Sequence, residues 1–302
     1  MSSVGRTASS DDNSSSLPPC RRSGKTLTIG IPASILSITP HLREKTALTG
    51  FLGRAAAIFR VDRILLYLDP VSSQESKDVS LLVKILRYLD TPQYLRKLLY
   101  PIDDQLRYVG ILPPLRTPHH PLSNELQHLS PGDLREAVVV NSGSASSEVE
   151  IGLGKLVHLV DPLLDVGSRV TVKMLRVGQT PLARLARSGE IQTYWGYVVC
   201  DCTMPLGSIL SSFKFDLTIA TSRRGEAWRR VAGEIRRRLT EADSTLLLFG
   251  SYNAGLQEIL AHENLKLGDV VQFTVNTIPL QGTVTVRTEE ALFATLALLR
   301  VL

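Results

Sequence analysis

The residues best equipped for chemistry cluster near the C-terminus. The run NTIPLQG at 276–282 sets two side-chain amides, a proline and a glycine in one loop, and TVTVRTEE at 283–290 adds an arginine and two glutamates. Small residues let a ligand approach the backbone, and amides and hydroxyls supply hydrogen bonds that fix its orientation. Two other stretches share this character: TSRRG at 221–225, and Gly250 with Ser251. Each of the three follows a short apolar run that reads as a strand, and in open α/β sheets ligands bind outside the carboxyl ends of the strands. Gly, Ser and Asn also occupy such turns for conformational reasons alone. The last loop is set apart by its proline, its amides and its direct entry into a terminal helical run.

Other chemistries lose their support. CDC at 200–202 has one residue between its cysteines where zinc knuckles place about two to four, and His119 and His120 are adjacent rather than one helical turn apart, so no metal site is expected. GSYNAG at 250–255 imitates the glycine spacing of a phosphate-binding loop, but Leu256 and Gln257 stand where that loop needs Lys and Ser or Thr. No GxSxG elbow and no GxGxxG fingerprint occurs, which removes the hydrolase and dinucleotide readings. A net charge of +5 over 302 residues favours an anionic partner, nucleic acid ahead of a membrane. The three cysteines form no disulfide framework and suit a reducing compartment. No apolar run approaches the roughly 20 residues of a membrane span, and the N-terminus lacks a signal-peptide core. The expectation is a cytoplasmic protein.

The elements that must position these loops alternate. Apolar runs at 27–31 and 63–69 read as strands, 41–59, 78–89 and 92–100 as helices, and 108–112 as a strand closed by Pro113 and Pro114. Beyond residue 204 the rhythm returns, with strands at 215–220, 245–249 and 270–275 and helices at 226–242, 256–262 and 288–299. Strands separated by helices imply a parallel sheet covered on both faces. Between 119 and 203 the helical period disappears, and strand-like runs at 136–140, 148–151, 155–160, 168–175 and 192–199 suit a small barrel such as an OB-fold. The reading is one α/β domain (27–118 and 204–302) interrupted by an inserted barrel (119–203). A Ser-rich tail (1–26) precedes it and cannot bury enough surface to offset its ordering entropy. Arg21, Arg22 and Lys25 leave open a second role for the tail's end, as an arm against RNA.

Two places could grip RNA. In the barrel, Arg169, Lys173, Arg184, Arg187, Tyr194, Trp195 and Tyr197 combine cations with stacking surfaces, although barrel core is the favoured reading for each aromatic. In 226–242, Trp228, Val231, Ala232, Ile235 and Leu239 form an apolar stripe, and Arg229, Arg230, Arg236, Arg237 and Arg238 fall largely outside it, with Arg223 and Arg224 leading in. Such a face suits phosphate contact. It also suits i,i+4 pairing on a solvated surface, as for Glu226 with Arg230 and Glu234 with Arg238.

Four stretches carry a family resemblance. The C-terminal motif (Asn276 to Pro279, Gln281, Gly282 and 285–291) resembles the signature of a SPOUT-class RNA methyltransferase subfamily of archaea and eukaryotes. LPPLRTPHH at 112–120 is similar to the end of that subfamily's first half, DLTIATS at 216–222 to its re-entry strand, and 50–61 with Arg54 to the first motif of the wider class. Leu48 stands where related branches carry an asparagine, which separates this chain from their ribose chemistry.

The resemblance implies S-adenosylmethionine as donor, a trefoil-knotted parallel sheet with helices on both faces, an OB-like insertion, and a homodimer acting on RNA, with ribosomal RNA the expected substrate. Carried over by position, it implies a donor pocket of Thr221, Gly250, Ser251, Asn276, Ile278, Pro279, Gln281 and Gly282, with Thr285 and Thr288 at its rim. Arg54 and Arg287 are candidates to bind the target or polarise its base, as guanidinium groups do. Glu289 or Glu290 could accept a proton, or simply complement a helix N-terminus beside a Thr288 cap. RNA contact is expected from Arg223, Arg224, Arg229, Arg230, Arg237 and Lys173. The acceptor expected is a base nitrogen such as uridine N3. The rivals are a non-catalytic RNA-binding or ribosome-assembly protein, and a methyltransferase acting on protein.

Overall fold

The computed structural model describes residues 17–70, 77–121, 129–144, 146–161, 164–187 and 189–302. In chain order, β1 (Thr26–Pro32) leads through α1 (Leu42–Ile58) to β2 (Arg63–Leu68), α2 (Lys77–Asp90) and α3 (Gln93–Leu99). Next come β3 (Leu134–Ser142), β4 (Ser147–Glu150), β5 (Val157–Leu159), β6 (Arg169–Arg176) and β7 (Leu182–Leu185). There follow β8 (Val198–Pro205), α4 (Leu206–Ser212), β9 (Leu217–Ala227), α5 (Trp228–Glu241) and β10 (Ser244–Leu248). The last are α6 (Leu256–Ala261), α7 (Leu267–Val270), β11 (Phe273–Asn276) and α8 (Thr288–Arg300).

Alternation within the strands explains the layers. In β2, Ile64 and Leu66 join a buried cluster with α1, α2, α5 and α8, while Leu65 and Tyr67 join another with α4, α6 and α7. Successive strand side chains point to opposite faces, so the strands are apolar on both sides, as a parallel sheet between two helical layers requires. The sheet order is β11-β9-β10-β1-β2-β8, with every neighbouring pair parallel. Strands β3 to β7 close a separate barrel around its own core, which includes Val139, Val149, Val172 and Met174.

Three expectations are corrected. Residues 108–112 form no strand: Val109–Ile111 is a single 3-10 turn, and the prolines that follow have no N–H to extend a ladder. The run 192–199 does not belong to the barrel, whose remaining strand is β7; instead β8 pairs in parallel with β2 at the sheet edge. The aromatics before it are buried anchors, not an RNA platform. Tyr194 Oη donates to Val61 O at 3.0 Å, Tyr197 Oη to Leu86 O at 3.1 Å, and Trp195 Nε1 to Glu136 Oε1 at 2.7 Å. Finally, the chain is fixed well before residue 26. Leu17 packs in the sheet core, Arg22 forks onto Asp62, and Lys25 Nζ donates to Leu239 O at 3.0 Å, so Arg22 and Lys25 are occupied within the fold. The earlier part of the tail, 1–16, lies outside the described residues.

A buried charge cluster joins barrel to sheet. Arg169 of β6 binds Glu136 of β3 and, at 3.0 Å, Asp90 at the end of α2; Arg21 also reaches Asp90. Burial alone would push the Asp90 carboxyl up, but Arg21 and Arg169 hold it well below the usual carboxylate range. Glu136, equally buried, is held down to about 2 by Arg169, Arg21 and His119. His119 and His120 both turn Nε2 to Asp90 O at 2.9 Å. Among the described residues no group of three His, Cys, Asp or Glu could hold a metal, and no helix is long and apolar enough to cross a membrane.

Candidate functional site

Residues 221–224 of β9, just beyond its pairing with β10, and the carboxyl ends of β10 and β11 open into one cleft of about 340 Å³. Its lining includes eight of the ten expected pocket residues: Thr221, Gly250, Ser251, Asn276, Ile278, Gln281, Thr285 and Thr288. Pro279 and Gly282 lie outside it, and a Cβ added at Gly282 would meet nothing within 4 Å, so that glycine is not required by close approach.

Each wall has a local cause. Residues 221–225 are not a turn, because β9 continues through them as extended chain to Ala227. Gly225 lets it pass β11: a Cβ there would sit 2.7 Å from Thr274 O and the Val275 backbone, where the pairing register shifts. After β10 the chain turns sharply. Ser251 N donates to Ala254 O at 2.9 Å, and a Cβ on Gly250 would come within 3.1 Å of Ala254 O and Gly255 Cα. Asn276 shapes the third wall, accepting from Ile278 N and donating to Arg223 O, both at 3.0 Å. Gln281 Nε2 closes the loop onto Thr283 O at 2.8 Å and Val284 O at 3.1 Å. Thr221 Oγ1 donates to Leu248 O at 2.9 Å and Thr288 Oγ1 to Gly250 O at 3.0 Å, tying the walls together. Several polar side chains expected to touch a ligand therefore brace the frame.

The proposed catalytic residues are not all brought together. Arg287 lines the cleft as the N-cap of α8, and its N–H donates to Glu290 Oε2 at 2.9 Å. That bond is one half of a capping box, and it occupies Glu290 outside the cleft lining. Thr288 is the first residue of α8 rather than its cap. Arg54 lies outside the cleft, donating from Nη1 to Pro114 O at 2.9 Å.

The RNA candidates also divide. Arg223 and Arg224 line the cleft, and Arg224 lies 3.4 Å from Glu258 with both side chains exposed. Arg229 and Arg230 are exposed on α5, but Arg237 bridges Glu234 and Glu241 along the same helix. In the barrel, Lys173 and Arg184 share the carboxylate of Glu190, which these bonds hold well below the usual range. Sequence reasoning missed Tyr252, Asn253, Gln257 and Glu258, which complete the cleft. The signal for the first two is GSYNAG, a turn directly after a strand; Gln257 and Glu258 follow it on the first turn of α6.

Residues 26–299 match the protein family described as "Putative RNA methyltransferase". The chain belongs to this RNA methyltransferase family. It is 33% identical to the 28S rRNA (uridine-N(3))-methyltransferase of Mus musculus, over 91% of this chain and 76% of that protein. Against the protein of the same name from Drosophila melanogaster the identity is 33% over 91% of this chain, which spans 62% of that longer relative. An uncharacterized protein of Haloarcula marismortui is 33% identical over 91% of this chain and 98% of its own length. An RNA methyltransferase must hold its donor and grip a polyanion at one place. The cleft lining includes three arginines (Arg223, Arg224 and Arg287) and one acidic residue, Glu258.

Proposed function

We propose that this enzyme is an S-adenosylmethionine-dependent methyltransferase that modifies N3 of a uridine in ribosomal RNA, with the donor held in this cleft. The observation that carries the reading is the convergence of strand residues 221–224 and the loops after β10 and β11 on one arginine-rimmed cleft in a chain similar to uridine-N3 methyltransferases. The lining suits the donor. Ile278, Val286 and Ala291 offer apolar surface for a purine, and the tight turn at Gly250 brings backbone polar groups to the wall.

When bound, S-adenosylmethionine supplies a methyl group on a positively charged sulfur. Uridine N3 attacks only after losing its proton. Arg287 is assigned to hydrogen-bond the carbonyl oxygen beside N3, where negative charge collects as the proton leaves. Glu258, weakly paired with Arg224, is the candidate base, and Glu290 is assigned to helix capping. Arg223, Arg224, Arg229 and Arg230 are assigned to phosphates. By resemblance the sheet is knotted in the SPOUT manner, the barrel is OB-like, and the enzyme is a cytoplasmic homodimer. Phe51 and Ile58, exposed one heptad apart on α1, suit a subunit contact that would bring Arg54 to it.

The test is calorimetry with S-adenosylmethionine, followed by nucleoside mass spectrometry of ribosomal RNA from a deletion strain. Donor binding and loss of 3-methyluridine are expected. RNA binding without donor heat would instead support an assembly protein, and donor binding with salt-insensitive RNA affinity would support a protein substrate.

A further inference from the structure

The loop between Ile278 and Gln281 carries a side chain that the fold does not use. Leu280 is fully exposed, and its backbone sits at φ 60°, a left-handed conformation that a leucine adopts only under constraint. The constraint is visible: Asn276 caps Ile278 N on one side, and Gln281 holds Thr283 and Val284 on the other. Gln281, which follows it, and Ile278, two residues before it, line the cleft, while Pro279 and Leu280 stand outside the lining, so Leu280 projects beside the cleft rather than into it. Val284 is 86% exposed beyond it, and Tyr252 in the cleft lining is 60% exposed. A strained, unburied apolar residue beside a binding cleft points to function rather than to folding.

The chemistry of the acceptor says what that function is. N3 lies in the middle of uracil's pairing edge, hydrogen-bonded to a partner and stacked between neighbours in any helical RNA. A base in that state cannot enter a cleft in the protein; it must leave the stack. Proteins that unstack bases insert apolar side chains between steps, leucine among them, and receive bases on aromatic rings. The arginines of the same lining, Arg223, Arg224 and Arg287, complement phosphates flanking such a site.

Resting on the uridine reading above, we infer that Leu280 is a wedge that enters the RNA stack beside the target uridine, and that Tyr252 receives the unstacked base on its way into the cleft. The occupant of this apolar rim is therefore RNA, not a second protein.

The test uses a ribosomal RNA segment centred on the uridine whose 3-methyl group is missing in the deletion strain, made with 2-aminopurine beside that uridine. One version is folded; in the other the pairing partners are mutated away. Leu280→Asn removes the wedge and keeps a residue that tolerates left-handed backbone. Wild-type binding is expected to raise 2-aminopurine fluorescence in the folded RNA, and the variant to lose most of that rise. Methylation of the folded RNA by the variant should fall about 10- to 100-fold, with the unpaired RNA and donor affinity changed by less than about threefold. Equal losses on both RNAs, or no loss on either, overturn the wedge. A variant that shifts from dimer to monomer in sedimentation also overturns it, by showing that a second copy covers Leu280. A wild type that binds donor but methylates neither RNA defeats the uridine reading itself, and the wedge falls with it.

Discussion

At the residue scale, the cleft separates two candidates that stand three apart. Arg287 reads as a group that binds the target or polarises its base, Glu290 as a proton acceptor or a complement to the helix N-terminus. The structure gives the glutamate a definite partner, the Arg287 N–H at 2.9 Å, and leaves the guanidinium in the cleft lining. Glutamine serves a capping box as well as glutamate does, so Glu290→Gln is expected to leave both melting temperature and single-turnover methylation nearly unchanged. Arg287→Ala should slow that turnover about a hundredfold, the scale for removing one donor to a developing negative charge. Donor affinity by calorimetry should stay within about threefold. A large rate loss in Glu290→Gln would return its carboxylate to proton transfer. The loops themselves were legible, because small and polar residues after apolar runs mark strand ends. What the side chains of Asn276 and Gln281 do was not legible, since their partners are backbone atoms fixed by the loop's own path.

At the element scale, strand identity was easier to read than strand company. Residues 192–199 are aromatic and β-branched enough to read as extended, but pairing with β2 rather than the barrel depends on Tyr194, Trp195 and Tyr197 finding sockets more than 50 residues away. Similarly, TSRRG looks like a turn by composition, and only the crossing with β11 shows why it is extended. That crossing gives a sharp expectation. A methyl group at residue 225 would meet backbone atoms at 2.7 Å, which cannot rotate away. Gly225→Ala should cost about 1–3 kcal/mol, the usual range for overpacking, read as a lower urea midpoint at constant slope. Because Asn276 holds Arg223 O across the same crossing, donor binding should weaken too. Full stability in Gly225→Ala would mean that β9 and β11 are farther apart than described.

At the scale of the whole molecule, the barrel and the sheet are joined by charges drawn from four distant parts of the chain: Arg21, Asp90, Glu136 and Arg169. Nothing local in the sequence marks them, and Arg169 read as an RNA contact because its burial between two carboxylates is purely tertiary. The joint fixes the barrel relative to the sheet, so its loss should be felt in stability. Arg169→Met keeps the aliphatic bulk but leaves Glu136 and Asp90 under-compensated, which should cost about 3–5 kcal/mol near neutral pH. The pH dependence identifies the cause. In the wild type Glu136 titrates at about 2, below its ordinary value, so its contribution is complete at neutral pH and is lost as pH falls from the ordinary carboxylate range toward 2. In the variant, burial outweighs the remaining partners, and the folded state is penalised only while the carboxyl is charged. Lowering the pH from 7 to about 4, near the unfolded glutamate value, should therefore narrow the gap between the two proteins in urea melts. A gap that stays constant would show that Arg169 acts through the packing of its stem, and that Arg21 alone suffices for the buried carboxylates.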